Sequence, residues 1–252
     1  MAGDLHAGRR APTGLRRGGA DLRGHDDHLS TARLYAHRAA AGRGGGAAAI
    51  RARHARDGDS ARRAGRAEGA VLIVTRRLVL RDFTEADGPA FAAYRHDPDF
   101  HGPSGAPEAE PDAATLFTLF LAWRDEIPRR NLQLGVFDRA TGRLLGCAGL
   151  RQAGLPEDRS ELGIELAAGE RGRHRLALEI AEALLDHAFG DPALAAVVGR
   201  TTAGNVRVTR LARWLGATLA PLPNPGAVGH DGVMWTLDRA SWWAWRRNHP
   251  VR

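Results

Sequence analysis

Apolar and polar residues alternate along the stretch 72–81. Leu78 and Leu80 fall on one side and Val79 and Arg81 on the other, which predicts a strand. Thr84, followed by Glu85 and Asp87, has the form of a helix start. The helix it opens carries Phe91, Ala92 and Tyr94 and ends before Asp97 and Pro98. A Gly- and Pro-rich loop at 102–111 leads to a second helix at about 112–126, where Leu116, Phe117, Phe120 and Trp123 recur at helical spacing. Strands at 132–137 and 143–150 flank a hairpin turn that contains Gly142. A short strand at 160–166 precedes a long amphipathic helix at 173–189, with Leu176, Ile180, Leu184 and Ala188 in one stripe. An apolar strand at 195–201, a helix at 206–215 that stops at Gly216, and weaker strands near 218–221 and 233–237 follow. The chain then runs into a Trp-rich end at 242–245. The order β-α-α-β-β-β-α-β-α-β-β does not alternate as a doubly wound parallel sheet would. It predicts an α/β (α+β) domain with a mixed sheet and helices on both faces.

Residues 1–70 break this picture. They hold 14 Arg against seven acidic residues and 13 of the 31 glycines, with apolar residues few and scattered. Such a segment cannot offset an ordering entropy of about 1–2 kcal/mol per residue, so it is expected to be a disordered Arg/Gly/Ala-rich tail ahead of a domain at 71–252. It reads as a basic nucleic-acid arm, as a tether, or as a mis-called gene start with Val74 as the true first residue. Residues 71–252 hold 22 Arg and 22 acids, so the whole net charge of +7 belongs to the tail. The body lacks the one-sided basic footprint of a nucleic-acid binder, and nucleic acid is expected at most through the tail. All 36 basic residues are Arg, a bias that no fold requires. The lone Cys147 excludes an intrachain disulfide and a cysteine-based metal cluster, and no metal is expected. No apolar run approaches the ~18–20 residues that cross a bilayer, so the expected setting is cytoplasmic and free of membrane.

Several strings then stand out together: Thr75–Arg81 (T-R-R-L-V-L-R) with Glu85, Ala86 and Asp87; Glu161-Leu-Gly-Ile with Leu166-Ala-Ala; Arg171-Gly-Arg and the helix after it; and N-V-R-V-T-R-L-A-R-W-L-G from Asn205 to Gly216. Their order and spacing resemble the GNAT superfamily of acetyl-CoA-dependent N-acetyltransferases, in particular the branch of the ribosomal-protein N-terminal acetyltransferases. The resemblance spans about 170 residues. It implies a mostly antiparallel central sheet of about six to seven strands and transfer of an acetyl group from acetyl-CoA to a primary amine. The amine would be a small molecule or a protein N-terminus, and the protein a monomer or homodimer. The alternative is a catalytically weakened domain of the same fold that binds a ligand or partner.

The resemblance also implies a site. The backbone of Leu166, Ala167 and Ala168 would pair with pantetheine amides. Arg171, Gly172, Arg173, His174, Arg175, Leu176 and Ala177 would form the pyrophosphate turn, where a helix start offers unpaired N–H groups and a positive dipole end. Asn205 would complete the cofactor contacts. Registered on Ala177 and Glu179, a family glycine falls on Arg175; registered on Arg171, it falls on His174. A side chain there costs about 1–2 kcal/mol if a left-handed backbone is kept. Glu161 matches the family's catalytic glutamate, and alternation places Glu165 on the same face, where two like charges would raise one pKa and suit a base. The family's usual acid, a Tyr or Ser on the helix after Asn205, falls on Ala212 and Val208 here, with Thr209 the nearest hydroxyl.

Overall fold

The computed structural model describes residues 69–99, 112–152, 154–172, 175–222 and 232–250. The expectations for residues 1–68, for the loop at 102–111 and for Arg173 and His174 lie outside them. Alternating apolar residues build one sheet from strands β1 (Leu72–Val74), β2 (Leu78–Asp82), β3 (Asn131–Asp138), β4 (Leu144–Arg151), β5 (Arg159–Leu166), β6 (Ala196–Thr202), β7 (Thr218–Pro221) and β8 (Gly232–Asp238). Their order is β1-β2-β3-β4-β5-β6-β8-β7, antiparallel throughout except for the parallel pair β5–β6.

The sheet has eight strands rather than six to seven. The stretch expected as one strand, 72–81, is a hairpin: Thr75 takes the Leu78 amide on its hydroxyl (3.0 Å) and donates its own amide to the Leu78 carbonyl (2.9 Å). That turn folds β1 back onto β2, and the Val71 amide closes it on the Asp82 carboxylate at 2.8 Å.

Five α-helices pack on the sheet among the described residues: α1 (Gly88–Arg95), α2 (Ala113–Arg124), α3 (Leu176–Phe189), α4 (Val206–Trp214) and α5 (Arg239–Asn248). The amphipathic stripe of α3 is buried as the sequence predicts, with Ile180 and Leu184 fully excluded from solvent, but the helix starts three residues later than expected. The Trp-rich end is a helix capped by Asp238, whose carboxylate accepts the Ser241 amide at 2.8 Å, and Trp242 and Trp245 stack 5.1 Å apart.

Strand alternation sends Leu80, Leu134, Ala148, Leu150, Leu162 and Ile164 to one face, where they join α3, α4 and α5 in the larger core. The other face carries a smaller core of Phe83, Phe91, Tyr94, Leu116, Phe120 and Cys147 under α1 and α2. Helices therefore cover both faces, as expected. No described helix is long and apolar enough to cross a membrane.

Candidate functional site

Strands β5 and β6 pair at three positions only, from Arg159↔Ala196 to Glu161↔Val198. Beyond Glu161 they part. On its other edge β5 stays paired with β4 out to Leu166. The Ala167 amide donates to the Leu145 carbonyl at 2.8 Å, which fixes the phase of that ladder. Antiparallel alternation then turns the backbone groups of Glu161, Gly163 and Glu165 toward β4 and those of Leu162, Ile164 and Leu166 toward the opening. The result is a wedge with a buried, hydrogen-bonding strand edge as one wall.

The foot of the wedge is apolar, with a cavity of about 20 Å³ bounded by Leu162, Ile164, Leu185, Val208, Trp235 and Leu237. The Trp235 ring lies flat on Gly199 of β6, where an added Cβ would come within 2.3 Å of the indole. Only glycine lets the ring sit there.

Of the three backbone positions expected to meet a ligand, Leu166 faces the wedge. Ala167 does not, because its amide is committed to Leu145, and Ala168 opens a short 3-10 turn, Ala168–Glu170. Arg171 follows that turn and reaches back, donating from Nε to the Leu166 carbonyl at 3.1 Å and from Nη1 to the Asp99 carbonyl at 3.5 Å. Burial lowers its pKa, against the pull of nearby Glu165 and Asp97, and this arginine lies against the protein rather than at the turn's outer surface.

Gly172 and Arg175 both have left-handed backbones, φ 68° and 57°. Arg175 is the only non-glycine residue with positive φ among those described. The left-handed conformation expected at a family glycine is thus kept, in the registration on Ala177 and Glu179, and an arginine bears it. Arg175 is the N-cap of α3 without a side-chain cap, so the amides of Leu176, Ala177 and Leu178 have no acceptor within the helix. Leu176 itself is buried in the larger core. Arg207 of α4 packs over Gly172, where an added Cβ would stand 3.2 Å from its Nη1. Asn205 caps α4, its side-chain oxygen accepting the Val208 amide at 3.2 Å, at a buried corner of the same opening.

Glu161 and Glu165 share a face, as alternation requires, and both are buried. Their environments differ. The Glu165 carboxylate accepts the Tyr94 hydroxyl at 2.6 Å and the Arg95 guanidinium at 3.0 Å, both arriving from α1. Glu161 has Arg200 of β6 at 3.8 Å, too far for a hydrogen bond. The two like charges expected on this face are thus each placed beside an arginine. Tyr94 also touches Cys147, 3.4 Å from hydroxyl to Sγ. Burial holds the tyrosine hydroxyl well above its ordinary pKa and pushes the thiol up to about 12, which leaves Cys147 without nucleophilic character. The inward positions of α4 are Val208 and Ala212, and the Thr209 hydroxyl donates to the Val206 carbonyl at 3.2 Å.

The sequence reading missed Tyr94, Arg95, Arg200 and Arg207, which reach the site from α1, β6 and α4. No local pattern marks them, since their roles follow from the sheet order. Among the described residues no cluster of His, Cys, Asp and Glu could hold a metal ion.

Residues 77–218 match the family described as the acetyltransferase (GNAT) domain. No curated protein matches the chain. Among solved structures, it resembles an acetyltransferase from Agrobacterium tumefaciens, with 27% identity, a TM-score of 0.53, and coverage of 67% of this chain and 95% of that one. A GNAT-family acetyltransferase from Bacillus anthracis shares the fold at 17% identity and TM-score 0.52, covering 68% of this chain and 99% of that one. A Vibrio cholerae protein provisionally described as a ribosomal-protein-serine acetyltransferase does so at 21% and 0.53, covering 67% and 97%.

Proposed function

The chain belongs to the GNAT acetyltransferase family, and on that premise we propose that it moves an acetyl group from acetyl-CoA to a primary amine, on a small molecule or at a protein N-terminus. The observation that carries this reading is the wedge between β5 and β6. Its open strand edge leads from the level of Glu161 to a left-handed turn at the start of α3. The fit to acetyl-CoA is chemical. The outward backbone groups of Ile164 and the outward N–H of Leu166 can pair with the two amides of an extended pantetheine arm as a neighbouring strand would. The free amides of α3 and the guanidiniums of Arg175 and Arg207 suit a pyrophosphate.

Each residue then has a task. An outward N–H of β5 polarises the thioester carbonyl and stabilises the charge that develops on its oxygen, an effect worth about 10²–10³ in rate where it has been removed elsewhere. Glu161 accepts the proton the amine sheds, directly or through water. Glu165, bound by Tyr94 and Arg95, holds α1 against the end of β5. No acid is required if the thiolate leaves unprotonated, in keeping with apolar Val208 and Ala212 on α4.

A second reading, a domain of this fold that binds a ligand with weakened catalysis, draws on the Thr209 hydroxyl being spent on its own helix. Titrating acetyl-CoA by calorimetry and measuring thiol release across a panel of primary amines and N-terminal peptides separates the two. Binding with amine-dependent release supports the enzyme. Binding without release for any amine supports the second reading, and no binding overturns the first.

A further inference from the structure

Resting on that reading, the groups beside Glu161 say which amines the site prefers. Glu161 and Val198 are the last paired positions of β5 and β6. Gly199 lies under the Trp235 ring, which belongs to the larger core. Alternation along β6 therefore turns Val198 and Arg200 to the opposite face, the face of Glu161. Arg200 stands on the β6 wall of the wedge, two residues beyond the last pair, with its Nη2 3.8 Å from Glu161 Oε2. Counted from that pair, the residue of β5 level with Arg200 is Gly163, so no β5 side chain stands across from it. An amine meets Glu161 from this face, because the larger core fills the other.

Two arginines flank Glu161, and they differ. Arg151 lies directly across on β4 and is buried. Arg200 is 29% exposed, and its guanidinium makes no hydrogen bond among the described residues. An acceptor that presents its nitrogen to Glu161 has that fork of N–H donors within a few bonds' reach. The group that pairs best with it is a carboxylate, whereas a second ammonium there would be repelled. We propose that Arg200 selects acceptors with a carboxylate on the carbon that bears the amine or on the next one. A free α-amino acid has that form, and so does a peptide that begins with aspartate. During transfer the amine nitrogen bonds to the acetyl carbon, and the C–S bond breaks with its electron pair leaving on the thiolate. Glu161 takes the amine proton, and Arg200 keeps its hold on the carboxylate.

Steady-state rates with acetyl-CoA test this on two acceptor pairs, leucine against leucinamide and an Asp-Ala-Ala amide against Asn-Ala-Ala amide, compared at equal concentrations of unprotonated amine. The wild type is expected to prefer the carboxylate member of at least one pair by about 10–100-fold in kcat/KM. Preference in the first pair points to a free amino acid, and in the second to an acidic N-terminus. Arg200→Gln should remove the preference, chiefly by raising KM for the carboxylate acceptor, and Arg200→Lys should restore part of it. Thermal melts on both variants report folding. A wild type that treats the members of both pairs alike, or favours the uncharged ones, overturns the inference and leaves the proposed function standing. So does a folded Arg200→Gln variant that keeps the preference, or one whose rates fall equally for every acceptor, since that arginine would serve only Glu161. Absence of thiol release with any amine overturns the proposed function itself, and the inference with it.

Discussion

Glu161 and Glu165 stand four positions apart on one face of β5, and what packs against each separates their chemistry. Breaking a buried, hydrogen-bonded ion pair by removing one charge typically costs about 3–5 kcal/mol. Glu165→Gln removes the buried charge that Tyr94 and Arg95 bind, and the melting temperature should fall by on the order of 10 °C for a domain of this size. The Arg200 partner of Glu161 is 29% exposed and 3.8 Å away, beyond hydrogen-bond distance, so this pair is the weaker of the two. Glu161→Gln should melt within a few degrees of wild type while turnover falls by about 10²–10⁴ and acetyl-CoA affinity holds. Melting curves and steady-state rates on the two variants decide it, and the reverse assignment of effects would show that Glu165 is the base. Arg175 is a second residue where surroundings decide. Arg175→Gly removes a left-handed strain of about 1–2 kcal/mol and adds some unfolded-chain entropy. It should raise the melting temperature by roughly 1–3 °C, and a decrease would mean that the arginine's contacts outweigh its strain.

At the scale of elements, α3 is tied to the first hairpin by one side chain. The Glu179 carboxylate accepts from the Thr75 hydroxyl at 2.6 Å, the Arg77 amide at 3.0 Å and the Arg77 guanidinium at 2.7 Å. Burial raises its pKa, but these donors together outweigh it, and the folded-state value lies below the ordinary one. A depressed carboxylate stabilises the fold above its unfolded pKa of about 4.3 and loses that contribution as the pH falls through the folded value. Urea midpoints measured from pH 6 down to pH 3 should therefore decline, and the Glu179→Gln variant should decline less. Parallel curves would show that the tie contributes nothing. The sequence made α3 legible because its apolar stripe repeats every turn. It hid the break in 72–81 because a tight turn at Thr75 leaves the alternation intact on both sides. The last helix was hidden by composition, although Asp238 followed by Ser241, with Trp242 and Trp245 three apart, carries a capping signal that could have revealed it.

At the scale of the molecule, the sheet order explains which parts of the site were legible. Glu161 and the turn before α3 lie in continuous strings, and the strings carried the resemblance. Arg200 meets Glu161 across 39 positions and Arg95 meets Glu165 across 70, contacts that exist only once β6 lies beside β5 and α1 lies across its end. Single-residue periodicity contains no term for them.

The short seam between β5 and β6 also bears on how the protein breathes. Strands β1–β5 and β6–β8 form two hydrogen-bonded blocks joined at three positions. Burial alone would give successive amides of β5 equal protection from deuterium, since Leu162 to Leu166 are all shielded from solvent. Exchange follows bonding and local opening rather than burial. The amides of Gly163 and Glu165, held by β4, should therefore exchange slowly, and those of Ile164 and Leu166, which face the wedge, much faster. Acetyl-CoA at saturating concentration should slow the second pair selectively and protect the first pair only through its stabilisation of the whole fold. The ligand would then serve as the strand that the sheet leaves out.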